Sequence, residues 1–265
     1  MSARTASATN TYEVLAVRYG MWHTDKQTAY HSFEVYGEEN EPIRIDYFYW
    51  VIRNGERTVL VDTGFRPEVA ERRNRELLTP VPETLGLLGV HPDQVSHVVL
   101  THFHYDHIGN ADLFPRSQLI AGGREYRFWT GETARQPLFR SAVETEEVDT
   151  IRKADAEGRL TLVPEEDPGL PGITFHEVAG HTPGQIVVEV QTSGKPVVLA
   201  SDASHLYEEF EKERPFHIAS SLPEMYEGLR WLRERSQDAV VVPGHDSQVM
   251  ERFPADETGT VLRIA

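Results

Sequence analysis

Hydrophobic and polar positions alternate along the first quarter of the chain, which predicts an antiparallel start to the fold. Residues 12–19 alternate in the manner of a strand, and residues 43–52 are rich in β-branched and aromatic side chains. Residues 58–61 follow across Asn54-Gly55, a dipeptide typical of tight hairpin turns. We therefore expect a hairpin formed by 43–52 and 58–61, preceded by a strand.

Helical periodicity follows in four further segments. The pattern predicts helices at residues 66–78, 83–88, 123–130 and 222–235. Arg72, Arg73 and Arg75 in the first of them are interpreted as a solvated helix face and not as a binding patch. Residues 131–157 are ambiguous and acidic in the middle. Such a stretch forms a lid, a pocket wall or a subsidiary core.

Apolar runs that lead into a polar turn with a metal-capable residue recur along the rest of the chain. The runs at 95–100, 173–178, 196–200 and 239–242 lead to His102, His181, Asp202 and His245. Glycines in several of these turns let the backbone reverse sharply, so the side chain that follows faces inward. We expect these strand ends to converge on one edge of the fold.

The densest of these turns is residues 101–110, which holds three imidazoles and a carboxylate within six positions. On an extended segment, side chains two residues apart share a face, so His102 and His104 can point at one ion. The turn that follows can direct Asp106 and His107 at a second ion. Because each histidine stands at ligand spacing, the segment predicts a metal site with two ions side by side.

A second carboxylate closes the strand predicted at 58–61. Asp62 is followed by Thr63 and the turn glycine Gly64. It either orients a metal-bound histidine from behind or caps an ordinary turn, and the residues alone leave both interpretations open.

Composition narrows the function classes. The chain has 265 residues, a net charge of −16 and no cysteine. Its length predicts one domain, residues 11–265, after a flexible N-terminus at residues 1–10. The negative charge opposes binding to nucleic acid or to anionic membranes, and histidine and carboxylate are left to hold any metal. No signal peptide or apolar run of spanning length is seen, so the cytoplasm is the expected compartment.

The pattern from His102 to His107, followed by Gly180-His181, Asp202 and Gly244-His245, resembles the metallo-β-lactamase superfamily over about residues 61–246. The resemblance implies an α/β fold, a four-layer αββα sandwich of two mixed sheets flanked by helices, with the metals at one edge. It further implies which side chains bind them: His102, His104 and His181 the first metal, Asp106, His107 and His245 the second, and Asp202 with a hydroxide bridging both.

Such a centre predicts hydrolysis. Two adjacent divalent ions lower the pKa of a shared water towards 7, which gives a hydroxide nucleophile for a carbonyl or phosphoryl centre. Asp106, with one oxygen on the metal, is the natural proton carrier to the leaving group. Imidazole and carboxylate ligands suit zinc, the first choice, and also iron, manganese and cobalt.

Within the superfamily the chain most resembles the N-acyl-homoserine lactone lactonases, in length and in the spacing from residues 180–184 to Gly244-His245. This implies a lactonase, or a hydrolase of similar small esters. The lactonases carry a substrate-contacting tyrosine three residues after the bridging aspartate. This chain has His205 there and Tyr207 two residues further on, so both are candidate catalytic residues.

Other functions are kept as alternatives. A thioesterase of the glyoxalase II kind would carry a basic C-terminal segment, whereas the tail after His245 holds only Arg252 and Arg263. A phosphodiesterase needs Lys or Arg at the site, and the motif neighbourhoods supply almost none. A non-enzymatic metal-binding relic is opposed by the complete ligand set. The expected partner is a small lactone or ester, a homodimer is left open, and the acyl part is expected against Trp22, Phe128, Trp129 or Phe210.

Overall fold

Two sheets carry the site in the computed structural model, which describes residues 10–265. Residues 1–9 of the predicted flexible N-terminus lie outside the described residues. The strands are β1 (Glu13–Asp25), β2 (Pro42–Arg53), β3 (Thr58–Val61), β4 (Glu76–Leu77), β5 (Val95–Leu100), β6 (Gln118–Gly122), β7 (Leu160–Val163), β8 (Ile173–Glu177), β9 (Ile186–Val190), β10 (Val197–Ser201), β11 (Val240–Pro243) and β12 (Val261–Arg263).

Both sheets are mixed, as predicted. The larger has the order β12-β1-β2-β3-β5-β6-β7, with β4 added beside part of β1, and the smaller has the order β11-β10-β9-β8. The β2–β3 pair is the predicted antiparallel hairpin, and β3, β5, β6 and β7 then run parallel. In the smaller sheet only the β10–β11 pair is parallel. The parallel strands bring the ends of β3 and β5 to one edge of their sheet.

Helices cover the outer faces of both sheets. They are α1 (Lys26–Ala29), α2 (Pro67–Arg72), α3 (Val81–Leu87), α4 (Tyr105–Ile108), α5 (Gly123–Thr130), α6 (Pro137–Arg140), α7 (Thr145–Ala156), α8 (Tyr207–Lys212), α9 (Leu222–Arg235) and α10 (Val249–Arg252). The stretch left ambiguous by its sequence therefore contains α6 and α7. Within residues 10–265, no helix combines the length and the apolar character needed to cross a bilayer.

Alternation along the strands divides the core in two. In β1 and β2, Val17 and Tyr49 belong to the apolar cluster that includes Leu85 and Ile151 of the helices over the larger sheet. Neighbouring positions such as Trp50 belong to the other cluster, with the β9 and β10 side chains and α9. Since successive strand residues face opposite sides, one sheet contributes to both layers. This is the predicted αββα sandwich.

One predicted helix was wrong. The segment 66–78 is helical only as far as Arg72, and β4 follows as a partner of β1. Asn74 adopts a left-handed backbone conformation, with φ of 52°, which a helix cannot continue through. The break turns the chain back along the sheet and sends the residues after Arg72 towards the edge that carries the site.

Candidate metal centre

The loop after β5 delivers the first histidines. The chain leaves the strand at Leu100, stays non-helical to His104 and then enters the short helix α4. His102 and His107 are completely buried, and their ring centroids lie 4.0 Å apart. The His104 ring lies 4.6 Å from that of His102. The three imidazoles predicted from their spacing therefore do meet, inside the protein and not on its surface.

Two groups of donor atoms form around this loop. In each group, one nitrogen or carboxylate oxygen from every residue lies within 4.8 Å of the others. The members are His102, His104, His181 and Asp202 in the first group, and Asp106, His107 and His245 in the second. His181 is held at the turn after β8 and His245 at the turn after β11. The structure thus brings together all seven side chains that the resemblance implied.

Asp202, just after β10, stands between the groups. Its Oδ2 lies 3.3 Å from Nε2 of His181. Its Oδ1 lies 2.9 Å from Nε2 of His245 and 3.3 Å from Nε2 of His107. One carboxylate oxygen therefore faces each group, which is the placement that a bridging ligand requires.

The remaining ring nitrogens show how the imidazoles are held. Nδ1 of His181 lies 3.0 Å from the carbonyl oxygen of Ile218, and Nδ1 of His245 lies 3.0 Å from that of Asp46. Because a carbonyl only accepts hydrogen bonds, each Nδ1 carries the proton and each Nε2 keeps a lone pair. Those lone pairs point into the centre, in the arrangement that metal-binding histidines use.

Several buried atoms at the centre have no hydrogen-bond partner in the described part of the chain. They are Nε2 of His102, Nε2 of His107 and Oδ1 of Asp202. Leaving buried polar atoms unpaired costs about 1–3 kcal/mol each, so native proteins rarely do so without a functional reason. Divalent ions bound to these donors would satisfy them all. The residues present therefore fit a dinuclear metal site.

Electrostatics supports the same interpretation. Burial, together with neighbouring imidazoles, holds the pKa of His102 and of His181 well below the ordinary value, and burial lowers the pKa of His104 to about 4. These rings are neutral at pH 7, as ligands must be. Burial also acts to lower the pKa of His107, but the carboxylates of Asp202, Asp62 and Asp106 outweigh it and raise that pKa well above the ordinary value. A metal at His107 must therefore displace a proton.

Asp62 orients this histidine from behind, which decides between the two roles that its sequence context left open. Its Oδ2 lies 2.8 Å from Nδ1 of His107. Its carboxylate also accepts hydrogen bonds from the backbone N–H and hydroxyl of Thr101 and from the Ser201 hydroxyl. Asp62 thus joins the ends of β3, β5 and β10. It does so with a left-handed φ of 63°, a strained conformation that its bonds maintain.

Glu125, in the first turn of α5, performs a similar task and was missed. It is fully buried and accepts hydrogen bonds from the backbone N–H groups of Phe103 and Gly184 and from the indole of Trp129. It therefore links the loop of His102 to the turn of His181. A Cβ at Gly184 would lie 2.1 Å from the Glu125 nitrogen, so only glycine permits this approach. An acid in a first helical turn is too common to signal such a role.

A cavity of about 230 Å³ opens onto Asp106, Asp202 and His245. Its wall includes apolar and aromatic side chains from distant segments, namely Trp22, Ile45, Tyr47, Tyr105, Phe216 and Ile218. Trp22 was expected there. Phe128, Trp129 and Phe210 do not line it, because they pack into the two apolar clusters. Phe216 was missed, since it lies in an irregular loop with no periodic pattern.

Arginines also line this cavity, contrary to the interpretation of residues 72–75 as a solvated face. Arg73 and Arg75 are part of the wall, whereas Arg72 lies outside it and pairs with Glu144. The reason is the early end of α2, which turns Arg73 and Arg75 inward towards Tyr105. The prediction that the site lacks basic residues was therefore wrong.

Comparison with known proteins decides the family. A family model described as the Metallo-beta-lactamase superfamily matches residues 45–245, well over half of the chain. The chain belongs to this superfamily. The matched region contains all seven side chains of the centre and both residues that support it, Asp62 and Glu125.

Curated relatives within the superfamily are lactonases. N-acyl homoserine lactonase AiiB of Agrobacterium fabrum is 33% identical over 175 residues, which cover 59% of this chain and 62% of that protein. The match thus spans just under two thirds of the relative's length. N-acyl homoserine lactonase AiiA of Bacillus thuringiensis subsp. kurstaki is 25% identical over 224 residues, covering 77% of this chain and 82% of that protein.

Solved structures of the superfamily share the fold. An N-acyl homoserine lactone hydrolase with N-hexanoyl-L-homoserine bound at its catalytic metal centre aligns with a TM-score of 0.75 and 17% identity, covering 93% of this chain and 98% of that one. The hydrolase AbOPH aligns with a TM-score of 0.70 and 17% identity, covering 97% of both chains. These alignments confirm the predicted αββα architecture.

The two further residues predicted to be catalytic have different positions in this superfamily fold. His205 lines the cavity, stacks on Phe216 at a centroid distance of 3.6 Å, and places Nε2 3.0 Å from Oδ2 of Asp202. Tyr207 does not line the cavity. Its ring is buried beneath the guanidinium of Arg252, because α8 begins at Tyr207 and turns that side chain into the core. The prediction that Tyr207 is a catalytic residue is therefore not supported by its position in the fold.

Proposed function

We propose that this chain is a dinuclear metal-dependent hydrolase that opens lactones of the N-acyl-homoserine kind or closely similar small carboxylic esters. The observation that carries the proposal is the pair of donor groups joined by Asp202 beneath a partly apolar cavity. The superfamily membership supports the reaction type, and the lactonase relatives support the substrate class.

The two ions would polarise the substrate carbonyl and lower the pKa of a water molecule, so that a nucleophile is present at neutral pH. Zinc is the proposed metal, and iron, manganese and cobalt also suit these donors. The ligands would be His102, His104 and His181 for one ion, Asp106, His107 and His245 for the other, and Asp202 for both. Acid should weaken binding, since His107 must lose its proton first.

Proton transfer is the task proposed for Asp106. In ester hydrolysis the oxygen of water bonds to the acyl carbon, the bond between that carbon and the ring oxygen breaks, and the ring oxygen must gain a proton. Asp106 lines the cavity, and its Oδ2 lies 3.7 Å from Nε2 of His107 and 3.8 Å from Nε2 of His245. Its other oxygen, Oδ1, is left to carry the proton from the nucleophile to the leaving alkoxide.

His205 is proposed to hold the substrate carbonyl in place of the lactonase tyrosine. Its ring is fixed between the Phe216 face and two carboxylates, with Nδ1 3.4 Å from Oε1 of Glu209 and Nε2 facing Asp202. When Asp202 is engaged by metal, the Nε2–H of His205 would be released to donate to the substrate carbonyl. Its distance from Asp202 supports a position beside the reacting bond.

The thioesterase alternative gains no support from the C-terminal residues. Arg252 covers the Tyr207 ring and Arg263 pairs with Glu13, and neither lines the cavity. One observation favours the phosphodiesterase alternative. Arg73 and Arg75 line the cavity, and arginine is suited to binding phosphate.

A substrate panel tests the proposal. Metal-loaded protein in unbuffered solution, with pH-stat detection, is given homoserine lactones of varied acyl chain, simple aliphatic and aromatic lactones, an aryl ester, a thioester and a phosphodiester. We expect lactone opening that stops on chelation and returns with added metal. Turnover of the thioester or the phosphodiester without opening of any lactone would overturn the proposal.

A further inference from the structure

Arg75 stands out in the cavity wall because it forms no ion pair with an acidic residue of the described chain. Its guanidinium lies 4.0 Å from the centroid of the Trp22 ring, and its Nε donates to the Tyr105 hydroxyl at 3.1 Å. Nη1 donates to the carbonyl oxygen of Arg73 at 2.9 Å. Among residues 10–265, no carboxylate oxygen approaches this guanidinium closely enough to form an ion pair, and Nη2 makes no hydrogen bond.

This isolation sets Arg75 apart from its neighbours Arg72 and Arg73. The protein has 42 acidic residues against 26 basic ones. Arg73, two positions earlier, pairs with Glu144 at 2.8 Å, and so does the exposed Arg72 at 2.9 Å. Arg75 is half-buried yet faces the cavity, with its planar group held against the indole. Nε and Nη1 are engaged, so Nη2 is the nitrogen that remains to donate a charge-assisted hydrogen bond to a carboxylate or a phosphate.

Building on the proposed function, we propose that Arg75 selects substrates that carry an anionic group, a carboxylate or a phosphate, on the part of the molecule remote from the scissile carbonyl. Two bound divalent ions would offset the charges of the Asp106 and Asp202 carboxylates, so these acids would not repel an anionic substrate. Ile45, Phe216 and Ile218 line the same cavity and provide apolar contacts for the chain between the two ends. An acyl lactone with a charged tail matches this wall better than a purely alkyl one.

Matched substrates test the selection. Three lactones of equal chain length end in a methyl group, a carboxylate or a phosphate. For the wild type we expect kcat/KM to be about 10-fold higher for at least one anionic lactone, mainly through KM, as a charge-assisted hydrogen bond provides. Comparing the carboxylate-ended lactone with the phosphate-ended lactone shows which anion is preferred. In Arg75→Gln, kcat/KM for the anionic lactone divided by kcat/KM for the methyl-ended lactone should be close to one. In Arg75→Lys, this ratio should lie between one and the wild-type value.

Arg72→Gln is the matched control, since it removes the same charge three residues earlier but outside the cavity, and its ratio should equal that of the wild type. A wild type that opens the methyl-ended lactone as well as the charged ones, or an Arg75→Gln variant that keeps the preference, would overturn the inference. Thermal unfolding and metal content of each variant show that it is folded and loaded.

A binding measurement separates this inference from the proposed function. Calorimetry compares adipate with hexanoate, which have equal carbon numbers, on metal-loaded protein. We expect adipate to bind about 10-fold more tightly to the wild type and to the Arg72→Gln control, but not to Arg75→Gln. If no lactone is opened, the proposed function fails while this comparison still decides the role of Arg75. Equal affinity of the two acids for the wild type would refute that role.

Discussion

The metal centre and the cavity wall above it are built in opposite ways. In the centre, His107, His181 and His245 each have their second nitrogen held by an oxygen of Asp62, Ile218 or Asp46. In the wall, Arg75 keeps a nitrogen that has no hydrogen-bond partner among residues 10–265. The three imidazoles are thus held from behind, with their other nitrogens directed into the centre, whereas Arg75 has a nitrogen left to donate into the cavity. On the proposed function, the centre would determine the reaction type and the wall the selectivity.

Removing the carboxylate that joins the two groups should have the largest effect. Asp202→Ala should lower kcat/KM by at least about 1,000-fold, because the lost charge weakens both metal positions. Activity is measured together with metal content by mass spectrometry. Two tightly bound ions and wild-type activity in this variant would show that Asp202 does not bridge.

Asp106→Asn should separate metal binding from proton transfer. An amide can still offer an oxygen to a metal but cannot carry the proton, so kcat should fall about 100- to 1,000-fold, more than any loss of metal explains. The rate is compared at equal metal occupancy. A fully active, metal-replete variant would remove Asp106 from the proton path.

Asp62→Asn should lower the affinity for metal, and should have little effect on the rate of the metal-loaded protein. Loss of the carboxylate behind His107 should weaken metal binding about 10- to 100-fold, as loss of such supporting groups usually does. Competition with a chromogenic chelator measures this, and excess metal should restore most of the activity. Asp112→Asn, at an exposed ion pair with Arg66, serves as the control and should leave the affinity unchanged. Equal affinity in Asp62→Asn would assign Asp62 to the turn alone.

His205 lies in the cavity wall and also beside Asp202, so His205→Ala tests whether this part of the wall takes part in the reaction. We expect kcat to fall about 10-fold on the best lactone, with metal content retained, because one hydrogen bond to the substrate is lost. His205→Gln, which keeps a donor, should recover part of the rate. Unchanged turnover in His205→Ala would show that this imidazole has not replaced the lactonase tyrosine.

Glu147 should give the smallest effect on activity. Burial, with the nearby Glu144 charge, raises its pKa to about 8, and no described residue forms a hydrogen bond with its Oε2. A folded-state pKa above the unfolded value of an acid means that stability declines as pH rises from about 4.5 to 8. Glu147→Gln should therefore stabilise the fold by about 2 kcal/mol at pH 8 and hardly at all at pH 4, in denaturant titrations, with activity within about twofold. Equal stability at both pH values would contradict this.

The metal centre and the cavity wall also differ in how much of each could be predicted from the sequence. The ligands follow strands with clear patterns, such as β5, and four of them lie within six residues, so their meeting could be predicted. Arg75 and Phe216 could not be placed, because their positions depend on a helix break at Asn74 and on an irregular loop joined to Tyr30 by an isolated bridge. Those contacts are long-range and leave no periodic signal.

Glu125 illustrates a second limit. Its hydrogen bonds reach Phe103 and Gly184, which are 22 and 59 positions away. The local sequence pattern predicts only an ordinary acidic residue in the first turn of a helix. The packing of α5 against the loops of Phe103 and Gly184 is what shows that Glu125 links them.

The most direct test of the two-ion centre is the number and position of metals in the wild-type chain. The protein is loaded with zinc, desalted, analysed by mass spectrometry and crystallised for anomalous scattering at the zinc edge. The account predicts two ions per chain, one among His102, His104 and His181 and the other among Asp106, His107 and His245, with Asp202 touching both. Less than one bound ion per chain, or ions at other residues, would contradict it.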